Sequence, residues 1–175
     1  MLTIARLSVA ELEANTEALA DILHACVNAG AGVGFVQPFP LQAARGFWRD
    51  SVQPAAARGV RIVLAARLDE TLAGTVQLGI DTMPNQVHRA DVMKLLVHPT
   101  YRRRGIGRAL MSEVEHVALS LQRTLLTLDT VTGDKAEPLY LSLGYTLVGC
   151  IPNYARSAHG RGFDATSIMY KTLAA

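Results

Sequence analysis

The chain has 175 residues, half of them hydrophobic and 18% charged, which supplies one well-filled core and argues against disorder. Its 17 Lys+Arg against 15 Asp+Glu leave a net charge of +2, too even for a whole-surface nucleic-acid or membrane binder, so any basic partner surface has to be local. The two cysteines, Cys26 and Cys150, stand far apart without C-x-x-C or His/Cys ligand spacing; no metal site is expected, and both read as core thiols. The opening "MLTIARLSVAELEANTEALA" has no basic stretch followed by an apolar one, and no apolar run reaches membrane-spanning length, so the expected setting is cytoplasmic with no membrane partner.

Residues 2–7, "LTIARL", predict a first strand, and Ser8 with Glu11 three positions on makes a capping box that opens a helix to about Val27. "NAGAGVGFVQPFP", residues 28–40, is a glycine- and proline-rich loop carrying Phe35 and Phe39. A second helical stretch, roughly 41–57, contains Trp48 and stops at Gly59. "RIVLAARL" (61–68) and "LAGTVQLGI" (72–80) follow as strands joined across Asp69 and Glu70 in a hairpin. "RADVMKLLV" (89–97) is the next strand, a turn leads to a helix over 106–121, and "TLLTLDT" (124–130) is a strand again. "DKAEPLYLSL" (134–143) is a short helix, and strands over 145–151 and 166–172 flank a loop, "PNYARSAHGRGFD" (152–164). This order predicts a single α/β (α+β) domain over 1–175, a sheet with helices on both faces.

The turn in "KLLVHPTYRRRGIGRALM" (94–111) is the most informative stretch. A dinucleotide fingerprint needs a third glycine where Leu110 stands, and a P-loop needs Gly-Lys-Ser/Thr where Gly107 is followed by Arg108 and Ala109. Both nucleotide loops are excluded, but the physics they share remains. A helix N-terminus exposes unpaired N–H groups that favour an anion, and glycines let that anion approach the backbone. Arg102, Arg103 and Arg104 add positive charge beside it. A nucleic-acid partner is not expected, because the triplet has no interleaved aromatics and no second basic stretch.

R-x-x-G-x-G, spelled by Arg102, Gly105 and Gly107 after the strand "MKLLVHP", resembles the acetyl-CoA signature of the GCN5-related N-acetyltransferase (GNAT) superfamily. "AEPLYLSLGY" (136–145) is similar to a second segment of that superfamily. "NAGAGVGF", "HRADVMKL", "LLTLDTVTG" and "IPNYARSAHGRGFDATSIMYKTL" extend the resemblance to its tabtoxin-resistance branch. The resemblance implies a GNAT-type domain with a central mixed, mostly antiparallel sheet, splayed where acetyl-CoA, the implied cofactor, enters. It implies that the backbone amides of Arg104, Gly105, Ile106, Gly107, Arg108 and Ala109 hold the pyrophosphate, and that the strand edge at Leu96 and Val97 pairs with pantetheine as an added strand would. Direct attack of an amine on the thioester needs a base and an acid; the resemblance assigns Asp91 as base and Tyr140 as acid, with Asp129 a second carboxylate that binds the ammonium or shares its proton. Read without the resemblance, Asp129 could cap the next helix and Tyr140 could simply pack. Gly133 departs from the pattern, standing where many relatives carry an asparagine that touches pantetheine.

On the acceptor side the resemblance places the 29–40 loop over the active site, with Phe35 as a wall and Tyr154 of the late loop opposite. A pocket with two carboxylates suits a small cationic amine. An amino-acid-like toxin derivative, an aminoglycoside, a polyamine and a peptide N-terminus all meet that description. The alternative from another class is a non-catalytic acyl-CoA-binding module. A homodimer is left open.

Overall fold

The fold is described from a computed structural model, and the structure describes residues 1–174. Seven strands form one sheet in the order β1-β2-β3-β4-β5-β7-β6: β1 Leu2–Arg6, β2 Arg61–Leu68, β3 Thr71–Gly79, β4 Arg89–Val97, β5 Leu125–Val131, β6 Thr146–Arg156 and β7 Phe163–Thr172. All neighbours are antiparallel except β4 and β5. The helices are α1 Val9–Ala14, α2 Thr16–Asn28, α3 Leu41–Gly46, α4 Gln53–Ala57, α5 Ile106–Ser120 and α6 Glu137–Ser142. Between α3 and α4 the chain runs through a π-helical stretch, Phe47–Val52.

Alternation along β2 sorts the core into two layers. Ile62, Leu64 and Ala66 pack with Ile106, Leu110, Met111 and Val114 of α5, while Val63 and Ala65 pack with α1, α2 and Trp48 on the other face. Trp48 is fully buried and donates its indole N–H to the Leu19 carbonyl at 2.9 Å, which ties the π-helical stretch to α2. No helix among the described residues is long and apolar enough to cross a membrane.

β4 and β5 are paired only at Arg89–Leu125, Ala90–Leu126 and Asp91–Thr127. Beyond those residues, β4 runs on to Val97 and β5 to Val131 without pairing each other. A bulge in β4 accompanies the separation: the register slips between Thr75 and Gln77 of β3, and Lys94 has a left-handed φ of +53°. On the β3 side, Gly74 permits a close approach, since a Cβ there would lie 2.7 Å from the Leu96 carbonyl oxygen.

Three sequence expectations are corrected. The helix expected to run from Ser8 to Val27 breaks at Asn15, whose side chain donates to the Glu11 carbonyl at 2.7 Å while the Thr16 hydroxyl donates to the Leu12 and Glu13 carbonyls; these bonds compete with the helix ladder. The loop expected over 152–164 is mostly strand, because β6 is an edge strand that absorbs Pro152 and the left-handed Asn153 in a bulge between Ile151 and Ala155. Cys150 is not a core thiol: it lies exposed on that edge strand, whereas Cys26 is buried as expected.

Gly74→Ala is expected to lower stability by about 1–3 kcal/mol, the cost of forcing an atom into a filled contact, and urea unfolding measures it. An unchanged midpoint would contradict the close β3–β4 approach.

Candidate active site

Sharing of faces across the sheet gathers the acidic residues. Arg61, Gly79 and Asp91 face one another across β2, β3 and β4, two residues from the row Val63, Gln77 and Met93, so both rows lie on the α2 face. Asp91 is opposite Thr127 on β5, and Asp129 follows two residues later on the same face. Asp91 accepts through Oδ1 from the Arg89 guanidinium at 2.6 Å and from the Thr127 hydroxyl; its Oδ2 has no partner among the described residues. Asp129 is exposed within β5, and α6 begins at a cap, Ala136, that makes no side-chain bond, so Asp129 does not serve as a helix cap. Both carboxylates therefore border the β4–β5 opening.

Tyr140 comes from the opposite face. It is packed into the α5-side core and is 6% exposed, with its ring 5.8 Å from that of Tyr145. Burial pushes its pKa well above the ordinary value, and the negative charges of Asp129 and Asp134 add to the rise. The phenol is thus held protonated, the state an acid needs. α6 is drawn close to α5 at Gly107, where a Cβ would stand 3.3 Å from Leu139, and Arg108 donates to the Ser142 hydroxyl at 2.8 Å.

The separation of β4 from β5 also leaves a donor site for an extended chain and an anion. His98 donates to the Ala73 carbonyl at 2.9 Å, which makes that pair hydrogen-bonded and the neighbouring Val97–Gly74 pair non-bonded. The N–H and C=O of Val97 therefore point away from β3, into the opening. Leu96, one residue earlier, turns its own groups to Thr75 of β3; of the two residues expected to present a free edge, only Val97 does. The Val97 carbonyl accepts from Arg102 Nε at 3.2 Å and from the Cys26 thiol at 3.3 Å.

At α5 the cap is Gly105, with φ +77° and no side-chain capping bond, and the first amide to bond inside the helix is that of Ala109, to the Gly105 carbonyl at 3.0 Å. The amides of Ile106, Gly107 and Arg108 are left without an intrahelical partner. Ala109, expected among the phosphate-facing amides, is already engaged. Arg103 and Arg104 are exposed beside this turn, with Arg104 over the Tyr101 ring at 5.8 Å. Gly105 is open on its outer side, nothing lying within 4 Å of where a Cβ would be. Gly133, with φ +76°, donates its N–H to Glu137 and holds the turn into α6. An uncapped helix start, a flanking basic turn and a strand edge with free backbone groups fit the pyrophosphate and the amide-bearing arm of a coenzyme A thioester.

The 29–40 loop roofs the opening. Gly32 packs against Val131 at the end of β5, and Phe35 lies 5.8 Å from Lys94 of β4 while packing on Phe39 at 4.6 Å, tilted, and on Phe47 at 5.4 Å, edge to face. Gln37 donates its N–H to Ala158 at 2.8 Å, which latches this loop to the β6–β7 turn. Tyr154 stands half-exposed on the β6 bulge, without an aromatic partner among the described residues.

Residues 21–145 match the family model described as the acetyltransferase (GNAT) family. The chain belongs to that family. The cofactor of that family is acetyl-CoA. The GNAT fold extends over the whole chain. A protein from Salmonella typhimurium described as an acetyltransferase, solved with its cofactor acetyl-CoA, is similar with 17% identity over 99% of this chain and 94% of that one, at a TM-score of 0.78. A ribosomal-protein-alanine N-acetyltransferase from Brucella melitensis is similar with 20% identity over 98% and 99% of the two chains, TM-score 0.76. A GCN5-related N-acetyltransferase from Kribbella flavida is similar with 21% identity over 98% of each chain, TM-score 0.77.

Sequence reasoning did not single out Arg89, Arg61, Gln77 or Lys94, which the structure brings to the carboxylate face of the sheet. Arg89 was within reach, since it precedes Asp91 by two positions and must share its face of the strand. The signal for Lys94 is that it is the one charge inside "VMKLLV".

Gly105→Ala is expected to weaken coenzyme A binding about tenfold or more, because a left-handed cap costs a Cβ-bearing residue about 1–2 kcal/mol and turns the α5 amides aside. Gly59→Ala, at φ +73° and also open on its outer side, is the control. It should lose comparable stability and no affinity, and equal affinities in both variants would contradict the assignment of the α5 turn.

Proposed function

We propose that this GNAT protein is an N-acetyltransferase that moves an acetyl group from acetyl-CoA onto the primary amine of a small molecule by direct attack. The observation that carries the reading is that two carboxylates from one face of the sheet border the opening between β4 and β5, and that the charge of one of them, Asp129, reaches a protonated, buried phenol packed on the other face. Acetyl-CoA supplies the activated acyl group. The chain's own residues do the rest.

Asp91 and Asp129 attract the ammonium and take its proton, Asp91 through the Oδ2 that Arg89 and Thr127 leave free. Arg89 and Thr127 fix the orientation of that carboxylate. Tyr140 gives a hydrogen bond to the sulfur as negative charge develops on it. Because its pKa is raised far above a thiol's value of about 8.5, it stabilises the thiolate chiefly as a donor and keeps its proton. Val97 and the amides of Ile106, Gly107 and Arg108 hold the donor in register, with Arg102, Arg103 and Arg104 neutralising phosphate. Phe35 walls the acceptor side, and a cytoplasmic setting agrees with the donor. The similarity to the tabtoxin-resistance branch favours an amino-acid-like acceptor, with toxin inactivation as a use for it.

Amine-dependent release of free thiol from acetyl-CoA tests the reaction. Tyr140→Phe should lower turnover about tenfold to a hundredfold, the low range for one acid–base group, and leave acetyl-CoA affinity unchanged. Unchanged turnover would remove Tyr140 from the chemistry.

A further inference from the structure

Two cations on the acceptor face have no carboxylate of their own. Lys94 sits at the β4 bulge beneath the roofing loop, where a Cβ on Gly34 would stand 3.4 Å from its Nζ and the Phe35 ring lies 5.8 Å away. Arg61 begins β2 in the same row as Asp91. Among the described residues neither forms an ion pair; Lys94 meets no acceptor, and Arg61 gives only Nη1, to the amide oxygen of Gln77 at 2.8 Å. Arg89, by contrast, has Asp91.

Burial pushes the Lys94 ammonium down, Asp129 pulls it back, and Arg61 adds to the fall; burial also lowers Arg61, against the pull of Asp81 and Asp91. Arg61 thus acts on Lys94 across this face, and the carboxylates that reach them, Asp91 and Asp81 for Arg61 and Asp129 for Lys94, form no ion pair with either. Beside them, Arg61 Nε, Gln77 Nε2 and the Thr75 hydroxyl are buried without any partner, and Gln77 and Thr75 are fully enclosed. Arg61 Nε and Gln77 Nε2 can only donate, and a hydroxyl can, so this corner of the face is short of acceptors.

We propose that Lys94 and Arg61 form an anion subsite, so that the acceptor is a zwitterion: its amine is bound at Asp91 and Asp129 and its carboxylate at Lys94 and Arg61. Gln77 is a positioning residue that orients the Arg61 guanidinium. The inference rests on the acetyl-transfer reading and narrows its acceptor class. Spermidine or an aminoglycoside would set further positive charge against two desolvated cations, and a peptide N-terminus would offer them no carboxylate close to the amine.

The test is calorimetry on the full chain saturated with coenzyme A, using the standard L-amino acids, β-alanine and γ-aminobutyrate, each beside its carboxamide. At least one acid should bind tenfold or more tighter than its amide. Lys94→Met and Lys94→Gln should bring that pair within about twofold, and Lys94→Arg should restore most of the preference. Binding of no acid, equal binding of acid and amide throughout, or a preference that survives Lys94→Met overturns the subsite. Thiol release on the same compounds separates the two claims. Transfer to acids and amides alike would keep the acetyltransferase and remove the subsite, whereas a Lys94-dependent preference without any transfer would do the reverse.

Discussion

Two parallel strands that part after three paired residues expose backbone N–H and C=O groups inside a folded domain, a state tolerated only where other groups meet them. Here the means are specific. The left-handed bulge at Lys94 bends β4 away from β5, Gly74 lets β3 hold the far end of β4 closely, and Arg102 and Cys26 both bond the Val97 carbonyl. Loop 29–40 closes the top by leaning on Val131 and Lys94. The N–H of Val97 lies on an edge that an extended amide chain can pair with, and the start of α5 is uncapped. The separation is sustained by contacts from β3, α2 and two loops.

The same separation brings residues of the two faces of the sheet to one opening. Carboxylates belong to the α2 side and Tyr140 to the α5 side, each shielded from the other along the rest of the sheet by a continuous layer of strands. At the opening the negative charge of Asp129 reaches Tyr140 and helps to hold it protonated. The phenol thus resides in a buried apolar environment, and Asp91 in a half-exposed one with hydrogen-bonding neighbours.

Motifs with local physics were legible in the sequence, and contacts made across the sheet were not. The capping box at Ser8 and Glu11, the strand periodicity of "RIVLAARL" and the glycine-flanked start of α5 each depend on neighbours within a few residues, and each appears where it was expected. The β6 edge was misread because Pro152 and Asn153 look like a loop, and an unpaired outer edge can carry them as a bulge. Ala109 and Leu96 were assigned to the donor site by motif alone; helix geometry and strand register had already committed their backbone groups. Lys94 and Arg61 lie 33 positions apart in sequence and come to one face of the sheet only through the register of β2, β3 and β4, which no spacing rule gives.

Backbone amide hydrogen exchange with and without coenzyme A tests the central claim most directly, because it asks whether the opening between β4 and β5 is the donor site. The account predicts strong protection of the amides of Val97, Ile106, Gly107 and Arg108, and little change in β6. Exchange at those amides unaltered by bound coenzyme A, with protection elsewhere, would contradict it.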